Sequence, residues 1–416
     1  MLTRRRLLTG AGAAIGGAAV GLGLDRAFRS GASVPAVALG AQPSGLPLRQ
    51  HAWTATLTLD AAGNPVPPRF DRLLFFDVKG SSTPAYARLL EAALRTLERR
   101  YRWGPSGLLF TASWGPVYFR RTLSRASPIP VARALSNFEL PQIDDYELCL
   151  HLACDHEQRL ISVEDALVHG APLAGADGPL ALSSALRWRE TRTGFVGAGL
   201  PATHQEISGI PPGKPVPADA PLFMGFKSSL RRNQASEDDV TIPDGQFAQG
   251  TTMQVSYMRL ALESWYAQLT QAERVARMYA PQVSPAEAAK FTTDAQSDPA
   301  RFGEAVSRYG VIGHSQASAR ARRGGKPLIQ RRDFDTIDGG RAGLHFLSLQ
   351  RSIEDFVSTR KAMNATAAQL QNPAITDTVN NGINEFIFVL RRANYILPPR
   401  PQRSFPLLPG RDRALS

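Results

Sequence analysis

The sequence contains few cysteines, and they lack the spacing of a zinc or redox site. Only Cys149 and Cys154 occur among the 416 residues, within one apolar run, and no Cys-x-x-Cys motif is present. If this run is a strand, residues five apart point to opposite faces, which argues against a disulfide between them. We therefore expect two buried free thiols.

Several familiar site motifs are also missing. The sequence has no Gly-x-Ser-x-Gly elbow, no His-Glu-x-x-His helix and no Walker loop, so a non-haem hydrolase is a poor fit. Lysine is scarce, and the net charge of +12 comes mainly from arginine spread along the chain. The densest basic run, 320–326, is short. We therefore expect no nucleic acid among the partners.

Long apolar runs are confined to the N-terminus. Residues 3–8, Thr-Arg-Arg-Arg-Leu-Leu, precede a mildly hydrophobic stretch rich in Gly and Ala. This pattern predicts a twin-arginine export signal with its linker at 1–40, the twin-arginine translocase as a partner, and a periplasmic or extracellular location. An uncleaved anchor behind a chance arginine cluster is the alternative. The twin-arginine route carries folded proteins, commonly ones that already hold a cofactor.

The remaining chain has the composition of a folded protein with two units. Hydrophobic residues make up 43% and charged residues 20%, and 416 residues suggest two domains or one domain duplicated. Strand and helix patterns alternate twice, which predicts an α+β fold with antiparallel sheets covered by helices. The predicted divisions are an N-terminal domain at 50–190, a long loop connection at 191–250 within a loop-rich stretch from about 175, a C-terminal domain at 251–397, and a Pro-rich surface tail at 398–416.

Fragments in both units resemble the dye-decolourising peroxidases, in the same order and with similar spacing. The fragments are Gly107–Pro116, Asp145–Asp155, Gly250–Trp265, Glu273–Arg277, Gly313–Asp335 and Gly343–Phe356. The resemblance implies two ferredoxin-like domains of the dimeric α/β-barrel type, with haem b bound by the C-terminal one. It further implies hydrogen peroxide and a small-molecule reductant as reaction partners, with the oligomeric state left open between monomer and homo-oligomer.

The resemblance also implies roles for individual residues. The family's axial haem ligand falls on His314, and a neutral imidazole is a usual iron ligand. Its distal arginine falls on Arg331, whose permanent charge could stabilise negative charge as a peroxide bond breaks. Arg320 and Arg322, with Arg323, could pair with haem propionates. For each of these arginines, a structural salt bridge or a solvated basic loop is the alternative.

The sequence departs from the family at two acids. Where the family has the aspartate of its Gly-x-x-Asp-Gly motif, this chain has Gly194–Pro201, which contains no acid. Glu206 or the acidic run 237–239 are candidates to replace it. The acid that bonds the proximal imidazole is also missing, because Ser352 stands there, with Glu354 and Asp355 nearby. Without an acidic partner the imidazole is a less basic ligand.

Three functions therefore stay open. The first is a haem-dependent peroxidase-like oxidoreductase with altered or weak peroxide chemistry. The second is a haem-binding or iron-handling protein without efficient turnover. The third is a haem-free interaction module on the same fold.

Overall fold

The computed structural model describes residues 45–178, 180–228, 230–290 and 299–408. The predicted export signal at 1–40 lies outside these residues. Among the residues described, no helix is both long enough and apolar enough to cross a membrane.

Strands and helices alternate along most of the chain. The strands are β1 (Phe70–Val78), β2 (Leu109–Trp114), β3 (Gln142–Ile143), β4 (Leu148–Cys154), β5 (Leu186–Phe195), β6 (Thr251–Leu260), β7 (Arg322–Arg323), β8 (Lys326–Pro327), β9 (Ile329–Arg331), β10 (Phe334–Thr336), β11 (Gly343–Gln350) and β12 (Ile387–Leu397). The α-helices are α1 (Pro84–Arg100), α2 (Glu157–Glu164), α3 (Glu237–Val240), α4 (Leu262–Ala267), α5 (Gln271–Met278), α6 (Pro285–Ala288), α7 (Phe302–Glu304), α8 (His314–Ser318), α9 (Ile353–Asn364) and α10 (Thr366–Gln371). Short π turns lie at Tyr118–Thr122, Asp165–His169 and Ala305–Tyr309, and 3-10 turns at Thr54–Thr56, Pro201–His204, Arg231–Asn233, Pro299–Arg301, Asp338–Gly340 and Arg400–Gln402.

The two halves of the chain repeat one sheet topology. In the N-terminal half the strands lie in the order β5-β1-β4-β2, and in the C-terminal half β12-β6-β11-β10, antiparallel throughout. Numbered within its own half, each sheet has the order 4-1-3-2, with helices after the first and third strands. This is the ferredoxin-like arrangement. The predicted pair of ferredoxin-like units is therefore confirmed.

The two sheets join edge to edge and close an eight-stranded barrel. Trp114 of β2 pairs with Ile396 of β12, and Asp335 of β10 pairs with Phe195 of β5. At the second joint the backbones approach so closely that a Cβ on Gly194 would lie 2.1 Å from the carbonyl oxygen of Asp335. Only glycine fits there.

Strand β5 corrects the expectation of loops from residue 175. Its residues are mostly polar, and they show no apolar alternation that would predict a strand. Ion pairs join β5 to the sheet in place of apolar contacts, because Arg187 and Arg189 pair with the buried carboxylate of Asp77 on β1. The N-terminal sheet therefore extends to Phe195, into the segment interpreted as a connection.

Residues 398–408, the described part of the predicted surface tail, are buried or half-buried, contrary to the prediction, and residues 409–416 lie outside the described residues. Arg403 is inaccessible to solvent and pairs with Glu91 and Glu98 of α1. Phe405 packs on Trp114, with 4.8 Å between ring centroids. Charge pairing and aromatic packing therefore anchor a segment whose proline content suggested a surface loop.

The cysteine prediction is confirmed. Cys149 and Cys154 are buried on β4 and are not joined by a disulfide. Burial raises the pKa of both thiols, so they stay protonated at neutral pH.

Candidate functional site

A cavity lies between the C-terminal sheet and its helices. Apolar side chains of β6, β11 and β12 form one wall, and α8 and α9 form the other, with α9 packed on the sheet. The free space between its lining atoms, counted out to the opening, is about 1050 Å³, and the part that the centre of a water-sized sphere can reach is about 110 Å³. The second figure is below the ~300–1,000 Å³ usual for small-molecule and cofactor sites, so the cavity is narrow in this structure. The apolar walls are Leu222, Met224, Phe226, Met258, Leu260, Met278, Ile329, Leu344, Phe346, Phe356, Met363, Ile383, Ile387 and Val389.

His314 lines this cavity from its helical side, at the first residue of α8. Two glycines fix the backbone around it. A Cβ on Gly313 would lie 1.8 Å from the carbonyl oxygen of Tyr279, and a Cβ on Gly382 would lie 3.0 Å from the Cα of His314. The amide of Gly382 also donates a hydrogen bond to the carbonyl of Ile312, at 2.9 Å. His314 therefore stands at a closely defined position.

The His314 ring has no hydrogen-bond partner in the part of the chain that the structure describes. Within the described parts of the chain, no group hydrogen-bonds either ring nitrogen, and the residue is only partly exposed, at the cavity wall. Burial, and after it the guanidiniums of Arg331 and Arg360, lower its pKa to about 3. The ring is therefore neutral at physiological pH and has a lone pair available for a metal.

The residues considered for bonding the imidazole are engaged elsewhere. Ser352 begins α9, and its amide donates to the carboxylate of Asp355, at 3.3 Å. Asp355 also pairs with Arg323, and Glu354 is exposed. No acid among the described residues bonds His314, in line with the weaker ligand basicity expected from the sequence.

Arg331 lines the same cavity from the sheet side, at the end of β9. Its Nη2 donates to the carbonyl of Ser228 at 2.7 Å, and its amide donates to Gln234 Oε1 at 2.7 Å. Its Nε is buried without a partner. Burial lowers its pKa, and the negative charge of Asp333 partly offsets that shift. The structure therefore brings His314 and Arg331 to one cavity.

Two acids that sequence reasoning missed, Asp333 and Asp335, also line the cavity. They follow Arg331 at intervals of two, and alternate residues of an extended chain point to the same face. The replacements proposed from the sequence lie elsewhere. Glu206 is exposed, and the 237–239 run is engaged with Arg49, Lys326 and the amides of residues 53 and 54.

The glycine at the missing acid's position has a backbone unsuited to aspartate. Gly197 has φ of 135°, a conformation that side-chain-bearing residues rarely adopt. It lies two residues beyond Phe195, which pairs with Asp335 across the barrel joint. Strand β10 therefore brings Asp335 close to the end of β5, near the position where the peroxidase family has its aspartate.

Arg320 and Arg322 lie beside the cavity. Both line a shallow surface groove with Arg323 and Lys361. The guanidinium of Arg320 lies 4.1 Å from the ring centroid of Phe302, whereas Arg322 donates to the carbonyls of residues 319 and 325, each at 2.9 Å. Arg322 also lines a cleft of about 270 Å³ that shares Ser318, Ile329, Arg331 and Thr359 with the cavity wall. The propionate role stays a prediction, and Arg322 is the better placed of the two.

Three further basic residues line the cavity itself: Lys227, Arg360 and Arg392. Arg360 and Arg392 share the carboxylate of Glu139, at 2.9 and 2.8 Å. One terminal nitrogen of Arg360, Nη2, is buried without a partner. An anionic group in the cavity would find a donor there.

The histidines expected near the core are satisfied by acids. His151 lies 2.7 Å from Asp71, and His345 lies 3.0 Å from Asp338. Among the described residues, no group of three His, Cys, Asp or Glu side chains could hold a metal ion. A metal in the cavity would therefore need ligands beyond the protein's own, as the iron of a porphyrin has.

Comparison with known proteins identifies the fold. The model of a family of unknown function, DUF7405, matches residues 68–399. No functionally curated protein matches the sequence. A variant of DypB from Rhodococcus jostii RHA1, solved in complex with haem, is 14% identical with a TM-score of 0.56, covering 86% of this chain and 99% of that one. A DyP-type peroxidase from Cellulomonas bogoriensis is 17% identical with a TM-score of 0.55, covering 84% and 96%. The chain therefore has the fold of the DyP-type peroxidases.

Proposed function

The chain belongs to DUF7405, a family of unknown function, and we propose that it binds haem b through His314 and acts as a peroxidase-like oxidoreductase. One observation carries the proposal. A neutral imidazole with no hydrogen-bond partner among the described residues and a buried guanidinium reach one mainly apolar cavity from its two sides. The similar fold of a protein solved with haem supports the assignment.

The residues present fit a haem group. The apolar walls would bury the macrocycle, and His314 would bind the iron as a neutral ligand. The unpartnered nitrogen of Arg360 and the guanidinium of Arg322 would pair with propionates. When bound, haem would supply an iron centre that exchanges electrons with peroxide and a reductant.

Arg331 would bind and orient peroxide in this site. Its charge persists at any working pH, although burial lowers its pKa. The hydrogen bond to Ser228 holds the guanidinium in place before a ligand arrives, so little reorganisation is needed. The apolar walls exclude water and strengthen the electrostatic attraction to a partly negative oxygen.

A second candidate is a haem-binding protein without efficient turnover. It is favoured by the lack of an acid on the His314 ring among the described residues and by the glycine at position 197. Both features weaken the groups expected to help peroxide react. Haem binding and turnover are therefore separate questions.

Peroxide-dependent oxidation of a small-molecule donor separates the two candidates. We expect turnover by the haem-loaded protein and a loss of about 10²-fold in Arg331→Leu, because charge stabilisation is removed. Arg88→Leu, at an exposed position of α1, is the matched control and keeps the rate. Bleaching of haem by peroxide without donor oxidation would instead support the second candidate.

We also propose export by the twin-arginine translocase to the periplasm or the extracellular space. The support is the arginine pair before a mild apolar stretch at residues 3–24. Reporter fusions carrying Arg4→Lys and Arg5→Lys together would stay in the cytoplasm. Equal export of the changed and unchanged signals would contradict the proposal.

A further inference from the structure

Two carboxyls share the cavity face of Arg331. Asp333 and Asp335 follow it at alternate positions of one extended segment, and all three line the cavity. The other titratable side chains lining it are Lys227, His314, Arg360 and Arg392. The acids therefore belong to this site, and the roles assigned so far to His314 and Arg331 leave them unused.

The two oxygens of Asp335 differ in their surroundings. Oδ2 accepts a hydrogen bond from the amide of Phe223, at 2.5 Å. Oδ1 is buried and has no hydrogen-bond partner. The residue as a whole is inaccessible to solvent, yet it contributes to the cavity wall. A buried oxygen without a partner is costly unless a bound molecule supplies one.

The surrounding charges distinguish the two acids. Burial raises the pKa of Asp333, but the positive charge of Arg331 and a hydrogen bond with Ser228 oppose this shift and favour its ionised form. The charge that acts on Asp335 is the negative one of Asp333. Burial and this repulsion raise the pKa of Asp335 well above its usual value. Of the pair, Asp333 ionises first as the pH rises, and Asp335 holds its proton to a higher pH.

We propose that Asp335 holds a proton at Oδ1 and donates it in a hydrogen bond to a small oxygen- or fluoride-type ligand bound beside Arg331. Asp335 then takes the place of the acid absent at Gly197, from the neighbouring strand. The inference rests on the proposed haem function for the identity of the site, but the proton on Asp335 is a property of the chain alone.

Infrared spectroscopy of the full chain without haem tests the proton directly. A neutral carboxyl has a C=O stretch well separated from that of a carboxylate. We expect the difference between wild type and Asp335→Asn to contain a neutral-carboxyl band, and the difference with Asp333→Asn to lack it. Asparagine keeps the acceptor for the Phe223 amide, so the fold is preserved.

Fluoride binding to the haem-loaded protein tests the hydrogen bond. We expect Asp335→Leu to weaken fluoride binding about 5- to 10-fold through the loss of one donor, which corresponds to about 1–1.4 kcal/mol. Asp335→Asn restores a donor and brings affinity back toward wild type. Turnover with peroxide stays low in Asp335→Asn, because an amide cannot transfer the proton.

The outcomes distinguish the role of Asp335 from the proposed haem function. Wild-type protein that binds haem but shows no Asp335-dependent band, or equal fluoride affinity in Asp335→Leu, would overturn this inference and leave the haem function standing. Failure of wild-type protein to bind haem would overturn the proposed function and the ligand role together. The infrared band would then still report whether Asp335 is neutral.

Discussion

Replacement of His51 by glutamine should make the protein less sensitive to acid. His51 is inaccessible to solvent, and its Nε2 lies 2.9 Å from the hydroxyl of Thr241. That hydroxyl donates to the carbonyl of Glu237, so the imidazole donates to Thr241 and its Nδ1 is left buried without a partner. Burial, and then the guanidinium of Arg332, lower the pKa of His51 to about 3.

The sign and size of the effect follow from linkage. The folded pKa lies below the unfolded value of about 6.5, so only the unfolded chain takes up this proton as the pH falls. The contribution of His51 is complete above pH ~6.5 and is lost progressively down to pH ~3. A pH of ~5 lies about 1.5 units below the unfolded pKa, and each unit corresponds to ~1.4 kcal/mol. The free energy of unfolding is therefore about 2 kcal/mol lower at pH ~5 because of His51.

Urea unfolding of the haem-free protein at pH 8 and pH 5 measures this loss. We expect wild type to lose about 2 kcal/mol more than His51→Gln between the two values, because glutamine can donate to Thr241 but does not titrate. His156→Gln, at an exposed histidine, should behave as wild type. Equal losses in wild type and His51→Gln would refute the assigned cause.

Three other changes test separate parts of the account. Gly382→Ala should destabilise the protein by about 1–2 kcal/mol, because Gly382 has φ of 58°. It should also weaken haem binding, because the new Cβ would lie 3.0 Å from the Cα of His314 and would displace that residue. Gly324→Ala is the control, because Gly324 has φ of 56° with open space around it, so alanine there strains the backbone without touching another residue. Equal haem affinity in both variants would contradict the role of Gly382 in positioning His314. Arg403→Met should cost about 1.5–3 kcal/mol in urea unfolding, because Glu91 and Glu98 each lose one of two arginine partners and keep Arg95 and Arg400 respectively; a change below about 1 kcal/mol would contradict the anchoring role of this segment. In the untreated native protein, Cys149 should react with a thiol reagent far more slowly than in urea, since its thiol is buried and protonated; equal rates would show that the strand is accessible.

The duplicated fold was predictable because each half buries its own apolar strands. Strands such as β4 and β11 and helices such as α1 show the apolar patterns expected of core elements, and those patterns recur in the same order in both halves. Strand β5 was missed because its residues are mostly polar, and ion pairs from Arg187 and Arg189 to Asp77 join it to β1. Periodicity detects apolar burial and has no signal for such a strand.

The cavity residues were predictable only in part. His314 and Arg331 followed from the resemblance, and the structure brings both to one cavity. The predicted replacements, Glu206 and residues 237–239, follow the missing acid in the sequence, whereas Asp335 stands on the strand paired with β5 and Asp333 directly precedes that strand. The alternation of Arg331, Asp333 and Asp335 was the available signal, because residues two apart on a strand share a face. The pairing of β10 with β5 could not be read from the sequence.

Titration of haem into the haem-free protein tests the central claim most directly. We expect a saturable Soret absorption band with one haem per chain in wild type and in His156→Ala. In His314→Ala the band should be lost or shifted, with much weaker binding, because the iron has no imidazole ligand. The same band position and affinity in wild type and His314→Ala, or no band in either, would contradict the account.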